Sequence, residues 1–132
     1  MTRNTFLSLS IILAIVVCEA HALTCTACDG KADCESGGRS VECTVARVAN
    51  IHKLYSYVNP SLNAELPQDP EFTCFRMLMD YESPLTGSLI SVVQRDCAIK
   101  QAKFCKYGNW VNSDFFACRS CTGDNCNAVR KT

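Results

Sequence analysis

The chain has 132 residues, eleven cysteines, and thirteen basic against thirteen acidic side chains, so its formal net charge is zero. Balanced charge rules out charge-driven partners as the default, and no basic patch or polybasic run in the sequence suggests nucleic acid or an anionic membrane. The cysteines are the distinctive feature, because the apolar residues come in short runs rather than in the long stripes that build a large core.

The N-terminus reads as a targeting segment. Arg3 supplies a positive charge, residues 6–17 form an apolar run, and Ala20-His21-Ala22 offers small residues for cleavage. The run is shorter than the ~20 residues a membrane span needs. Residues 1–22 are expected to be a signal peptide and residues 23–132 a single secreted, extracellular domain. Cys18 leaves with the signal, and the ten remaining cysteines, an even number, read as a framework of five disulfides. No apolar tail follows the last cysteine, so no membrane anchor is expected.

In chain order, Cys25-Thr26-Ala27-Cys28 precedes an Asp29-Gly30 turn signal, and Ser36-Gly37-Gly38-Arg39 is a second turn. Residues 25–43 therefore read as one small hairpin. In residues 44–73, Val45, Val48, Ile51, Leu54, Tyr55 and Val58 recur at three- to four-residue spacing. That spacing predicts an amphipathic helix of about four turns, stopped at Asn59-Pro60. A shorter helical piece at residues 62–66 lies among Pro60, Pro67 and Pro70. The alternative is an irregular loop with a strand at residues 45–48.

Period two returns at residues 71–81, with Phe75, Met77, Met79 and Tyr81 on one face and Cys74, Arg76, Leu78 and Asp80 on the other. Residues 82–87 are a turn and residues 88–97 a returning strand, so Cys74 and Cys97 meet at the base of one long hairpin. Residues 104–118 read as a third, shorter hairpin that turns near residues 107–110 or 112–114, and Phe115 and Phe116 run back to Cys118. Trp110, beside a glycine and asparagines, reads as a hairpin tip.

Leu23-Thr24-Cys25-Thr26-Ala27-Cys28, the Arg95-Asp96-Cys97 strand end and the closing Cys121-Thr122-Gly123-Asp124-Asn125-Cys126-Asn127 resemble the three-finger, snake-toxin-like fold of the lymphocyte antigen 6 and urokinase receptor superfamily. The resemblance covers residues 23–127. It implies a small, mainly β, disulfide-rich domain with the pairs Cys25–Cys74, Cys28–Cys34, Cys43–Cys97, Cys105–Cys118 and Cys121–Cys126. It also implies a structural role for Asn127, hydrogen-bonded back into the disulfide cluster. Two features depart from the pattern. Arg119 and Ser120 separate cysteines that are adjacent in many members, and the partly helical insertion at residues 44–73 exceeds the usual connection. Long connections of this kind look like those of secreted arthropod members.

Function is expected to be recognition rather than catalysis. Cys25-x2-Cys28 and Cys118-x2-Cys121 have zinc-knuckle spacing, but a signal peptide and an even cysteine count favour disulfides, so no metal or cofactor is expected. His52 is the single histidine after residue 22 and reads as an exposed or half-buried helix residue. No Gly-x-Ser-x-Gly elbow or histidine cluster accompanies it, so no enzyme is expected. Candidate partner-binding residues are Pro84 and Leu85 at the central tip and Tyr107, Trp110 and Val111 in the third hairpin. The methionine face is a further candidate surface, unless it packs under the insertion. The expected partner is a cell-surface receptor or ion channel. Alternatives are a structural or trafficking factor at epithelial surfaces, as the arthropod resemblance implies, or a carrier of a small apolar ligand held between insertion and sheet.

Overall fold

The computed structural model describes residues 22–129; residues 1–21, which hold nearly all of the expected signal peptide, and residues 130–132 lie outside the described residues. Five strands carry the fold: β1 (Thr24–Asp29), β2 (Arg39–Glu42), β3 (Phe72–Glu82), β4 (Leu89–Ile99) and β5 (Ser113–Cys121). They form one antiparallel sheet in the order β2-β1-β4-β3-β5. Two helices interrupt it, the five-residue α1 (Lys31–Glu35) and the eleven-residue α2 (Val45–Tyr55). The protein is thus a small, mainly β domain with five disulfides.

The first hairpin is tighter than its turns suggest, because α1 fills the space between them. Gly38 has a left-handed φ of 65°, and a Cβ there would stand 2.4 Å from the Ala27 carbonyl oxygen, so only glycine fits. The two long strands are the mechanical centre. β3 and β4 pair without a break from Phe72–Ile99 to Glu82–Leu89, and the Cys74–Cys97 pair lies near their base.

The disulfides gather the strand bases. Cys25–Cys74 ties β1 to β3, Cys43–Cys97 ties the residue after β2 to β4, and the two bridges touch, with Cys25 Sγ 3.2 Å from Cys43 Sγ. Cys28–Cys34 anchors α1, Cys105–Cys118 joins the third limb to β5, and Cys121–Cys126 closes the last loop. In the chain-entropy account the two long closures each stabilise the fold by about 4 kcal/mol and the shortest by about 2.

The insertion forms the second layer. Thr44 caps α2 by accepting the Arg47 N–H at 3.1 Å, as an N-terminal threonine does. The helix buries Val48, Ile51, His52 and Tyr55, whereas Val45 and Leu54, assigned to the same apolar face from spacing, stand in solvent. It ends at Tyr55, earlier than the spacing predicts. Residues 56–59 form a tight turn in which the Asn59 N–H reaches the Tyr55 carbonyl, and Pro60–Asn63 is a single 3-10 turn. Arg47 grips Asp96 of β4 with two hydrogen bonds of 2.7 and 2.8 Å, and Asp96 also accepts the Cys97 N–H at 2.7 Å. This pair clamps α2 to the sheet and gives the Arg95-Asp96-Cys97 stretch a physical role.

Beneath the helix lies the core. Phe75, Met77, Met79 and Tyr81 face it and are buried, so the methionine face packs under the insertion. Phe104 sits 4.2 Å from the Phe75 ring centroid, and Trp110 lies edge-on to Phe104 and Tyr55 at 5.1 and 5.8 Å. The third limb is not a regular hairpin. Only β5 is a strand; its outgoing half is a chain of tight turns through Tyr107–Asn109, bent inward to deliver these two rings.

Candidate binding surfaces

The C-terminal loop fastens the surfaces together. Asn127 is 2 % exposed. Its Oδ1 accepts the Thr26 N–H at 2.9 Å, and its Nδ2 donates to the Thr26 and Phe75 carbonyls, both at 2.8 Å. One side chain thereby joins the last loop, β1 and β3. Asp124 accepts the Thr24 N–H at 3.0 Å, and the Asn125 N–H donates to the Thr24 carbonyl at 2.8 Å, extending the seam. The closing motif acts as a clasp.

The five sequence-selected recognition residues separate into three environments. Leu85 is 93 % exposed and Pro84 is exposed beside it, in a turn closed by the Ser83 N–H to Ser88 carbonyl bond at 2.8 Å. Val111 joins the same end of the sheet: its N–H donates to the Val58 carbonyl, and the next residue, Asn112, accepts from the Glu82 N–H. Exposed Leu89 and Tyr57 lie at this end, the latter hydrogen-bonded through its hydroxyl to Tyr81. Partial desolvation of the hydroxyl and that bond push the Tyr57 phenol up to about 12, so it stays neutral as a donor.

Trp110 does not belong to this end. It is 7 % exposed, and its indole N–H donates to the Phe104 carbonyl at 2.7 Å, so it is a core residue and not a hairpin tip. The correction has a plain cause: a large aromatic among small residues serves either role, and only the inward bend of the third limb decides. His52 is corrected likewise. It is buried, its ring beside Phe104, and its Nε2 accepts the Ile99 N–H in a long 3.4 Å contact. Desolvation holds its pKa below the ordinary 6.5, so it is neutral near pH 7. No nucleophile is hydrogen-bonded to it among the described residues.

Tyr107 is exposed but lies elsewhere. It packs against Phe116, itself packed on the core, and lines a cleft of about 510 Å³ with residues of β3, β4 and β5. Arg76, Arg95 and Arg119 line the same cleft. Sequence spacing missed this group because each arginine stands alone in its own segment; the signal lies in strand register, which pairs Arg76 with Arg95 on one side and Arg119 on the other. A second cleft of about 460 Å³ runs between residues 61–67 and 99–106. The space between α2 and the methionine strand is occupied by Phe104 and Trp110.

The sulfur atoms of Cys25, Cys43 and Cys97 lie within 4.8 Å of one another, but each belongs to a disulfide and carries no thiolate. The four cysteines with zinc-knuckle spacing are likewise divided among four bridges. Among the described residues no helix is long and apolar enough to cross a membrane. Five disulfides suit an oxidising, extracellular setting. No family model, curated protein or solved structure matches the chain.

Proposed function

We propose that the protein is a secreted, non-enzymatic recognition module of the three-finger kind found in the lymphocyte antigen 6 and urokinase receptor superfamily. Its fingers are residues 24–42, residues 72–99 and residues 104–121, leaving a common disulfide base. It binds a cell-surface receptor or channel through the far end of the central finger, which carries exposed Pro84, Leu85 and Leu89 and to which the third finger is joined next to Val111 by the Glu82 N–H to Asn112 carbonyl bond. The carrying observation is that Leu85 is 93 % exposed on a hairpin whose base is tied by two touching disulfides. An apolar side chain in open solvent, on a hairpin tied at its base, is poised to bury surface against a partner with little backbone left to order.

The test is saturable binding of the labelled mature chain to cell panels, comparing wild type with Leu85→Ser and Leu89→Ser. Both positions are solvent-facing, so the substitutions leave stability within about 0.5 kcal/mol. Lost binding with an unchanged thermal midpoint is the expected result. Undiminished binding by the double variant refutes the assignment of this end.

A further inference from the structure

The uncovered sheet face carries a feature that the tip does not explain. Arg95, Arg76 and Arg119 stand side by side on β4, β3 and β5, directly opposed in register. Neighbouring strands lie about 4.8 Å apart, so three guanidinium side chains leave the sheet along a line of roughly 10 Å. Like charges directly opposite one another oppose sheet pairing. Yet none of the three is within ion-pair distance of a carboxylate among the described residues, where the pairs found are Lys31–Glu35, Arg47–Asp96 and Lys100–Glu71. The acid on the same face of β3, Asp80, is four residues from Arg76 and accepts the Ser91 hydroxyl at 2.5 Å.

Arg95 is the most informative of the row. Its Nη1 is buried and donates to nothing among the described residues. Burial, and secondarily the charge of Arg76, lower its pKa. A guanidinium nitrogen that is buried without a partner, on a half-buried side chain beside two more cations, is satisfied when an anion reaches it. One row along the strands, Val93, Leu78 and Ala117 are opposed in the same way and line the same cleft, with Leu78 41 % exposed. The surface is therefore a cationic line beside an apolar line.

We infer that this cleft binds a sulfated polysaccharide, with sulfate esters along the Arg95–Arg76–Arg119 row and the C–H faces of sugar rings against Val93, Leu78 and Ala117. A straight line of cations on an open face suits a linear polyanion better than a single enclosed ion, whose few oxygens would need three side chains to converge. The apolar line is one row deep and ends at Asp80 and Ser91, too shallow to lay down an acyl chain along the strands. The choice of sulfate rests on the extracellular reading above, because sulfate esters give linear polysaccharides of that setting a dense line of fixed negative charge.

The experiment measures retention of the disulfide-bonded mature chain on immobilised heparin at about 0.15 M salt, near the physiological Debye length. Arg76→Gln with Arg119→Gln is compared with Lys53→Gln plus Lys106→Gln, which removes the same charge from exposed positions outside this cleft. The arginine pair is expected to weaken binding about tenfold or more and to make its log–log salt dependence shallower by roughly two. The lysine pair is expected to stay near wild type. Thermal midpoints check the fold, and the arginine variant should melt no lower than wild type because it relieves like-charge opposition. Equal losses in both pairs, or passage of the wild type through the column, overturn the proposal. Capture by phosphatidylserine vesicles without heparin retention also overturns it and assigns the row to lipid phosphate. None of these results bears on the tip, whose cell-binding test uses other residues.

Discussion

Asn127→Ala is the substitution from which most can be worked out. The native side chain makes three buried hydrogen bonds, all between 2.8 and 2.9 Å, to two different strands. Each contributes about 1 kcal/mol net, and leaving the Thr26 and Phe75 carbonyls unpaired in the interior adds further desolvation cost, for a total of about 3–5 kcal/mol. For a domain of this size that corresponds to a fall in thermal midpoint of roughly 12–20 °C. Asn127→Asp separates hydrogen bonding from packing. It preserves shape and the acceptor for Thr26, but turns an oxygen toward the two carbonyls that the amide served, so it should lose at least as much stability as alanine. The assay is thermal unfolding followed by circular dichroism, with all disulfides oxidised and verified by mass. An aspartate variant within about 1 kcal/mol of wild type would refute the clasp.

Other outcomes follow from burial. Trp110→Ala should destabilise the domain by about 3–5 kcal/mol through cavity formation and loss of its bond to the Phe104 carbonyl; a stable variant that merely loses cell binding would restore Trp110 to the tip. His52 carries a pH dependence. Its folded pKa lies below its ordinary 6.5, so below about pH 6.5 the unfolded chain takes up the proton first, and stability holds above that value and declines as pH falls toward the folded pKa. Glu65, Lys103 and Lys106 line the cleft beside it and are exposed. Thermal midpoints between about pH 7.5 and 5.5 should slope in wild type and be flatter in His52→Gln; identical slopes would contradict a neutral, buried imidazole.

Local signals carried the elements and failed where orientation depends on distant chain. Period two read the central hairpin because alternate residues must face opposite sides of a sheet, and Phe75, Met77, Met79 and Tyr81 do face inward. Helical spacing finds α2 but places Val45 and Leu54 on its apolar face, whereas the buried arc is that of Val48, Ile51, His52 and Tyr55, with Val45 at its edge and Leu54 beyond it. Trp110 and His52 depart from their sequence expectation for a related reason: their burial depends on the bend at residues 100–110, which no periodicity announces. The arginine row was invisible because it is made by register among three strands, and register is not a property of any one of them. Tyr107 was singled out as an aromatic contact residue and does stand exposed, but beside that row rather than at the tip.

Disulfide mapping of the mature chain tests whether five bridges close the domain and hold the hairpin that is proposed to bind. Unreduced material, treated with a thiol-blocking reagent, digested and sequenced by mass spectrometry, should begin at Leu23 and take up no reagent. It should yield linked peptides for Cys25–Cys74, Cys28–Cys34, Cys43–Cys97, Cys105–Cys118 and Cys121–Cys126. Blocked thiols at Cys25, Cys28, Cys118 and Cys121, or links that cross these pairs, would contradict the fold and the binding surfaces built on it.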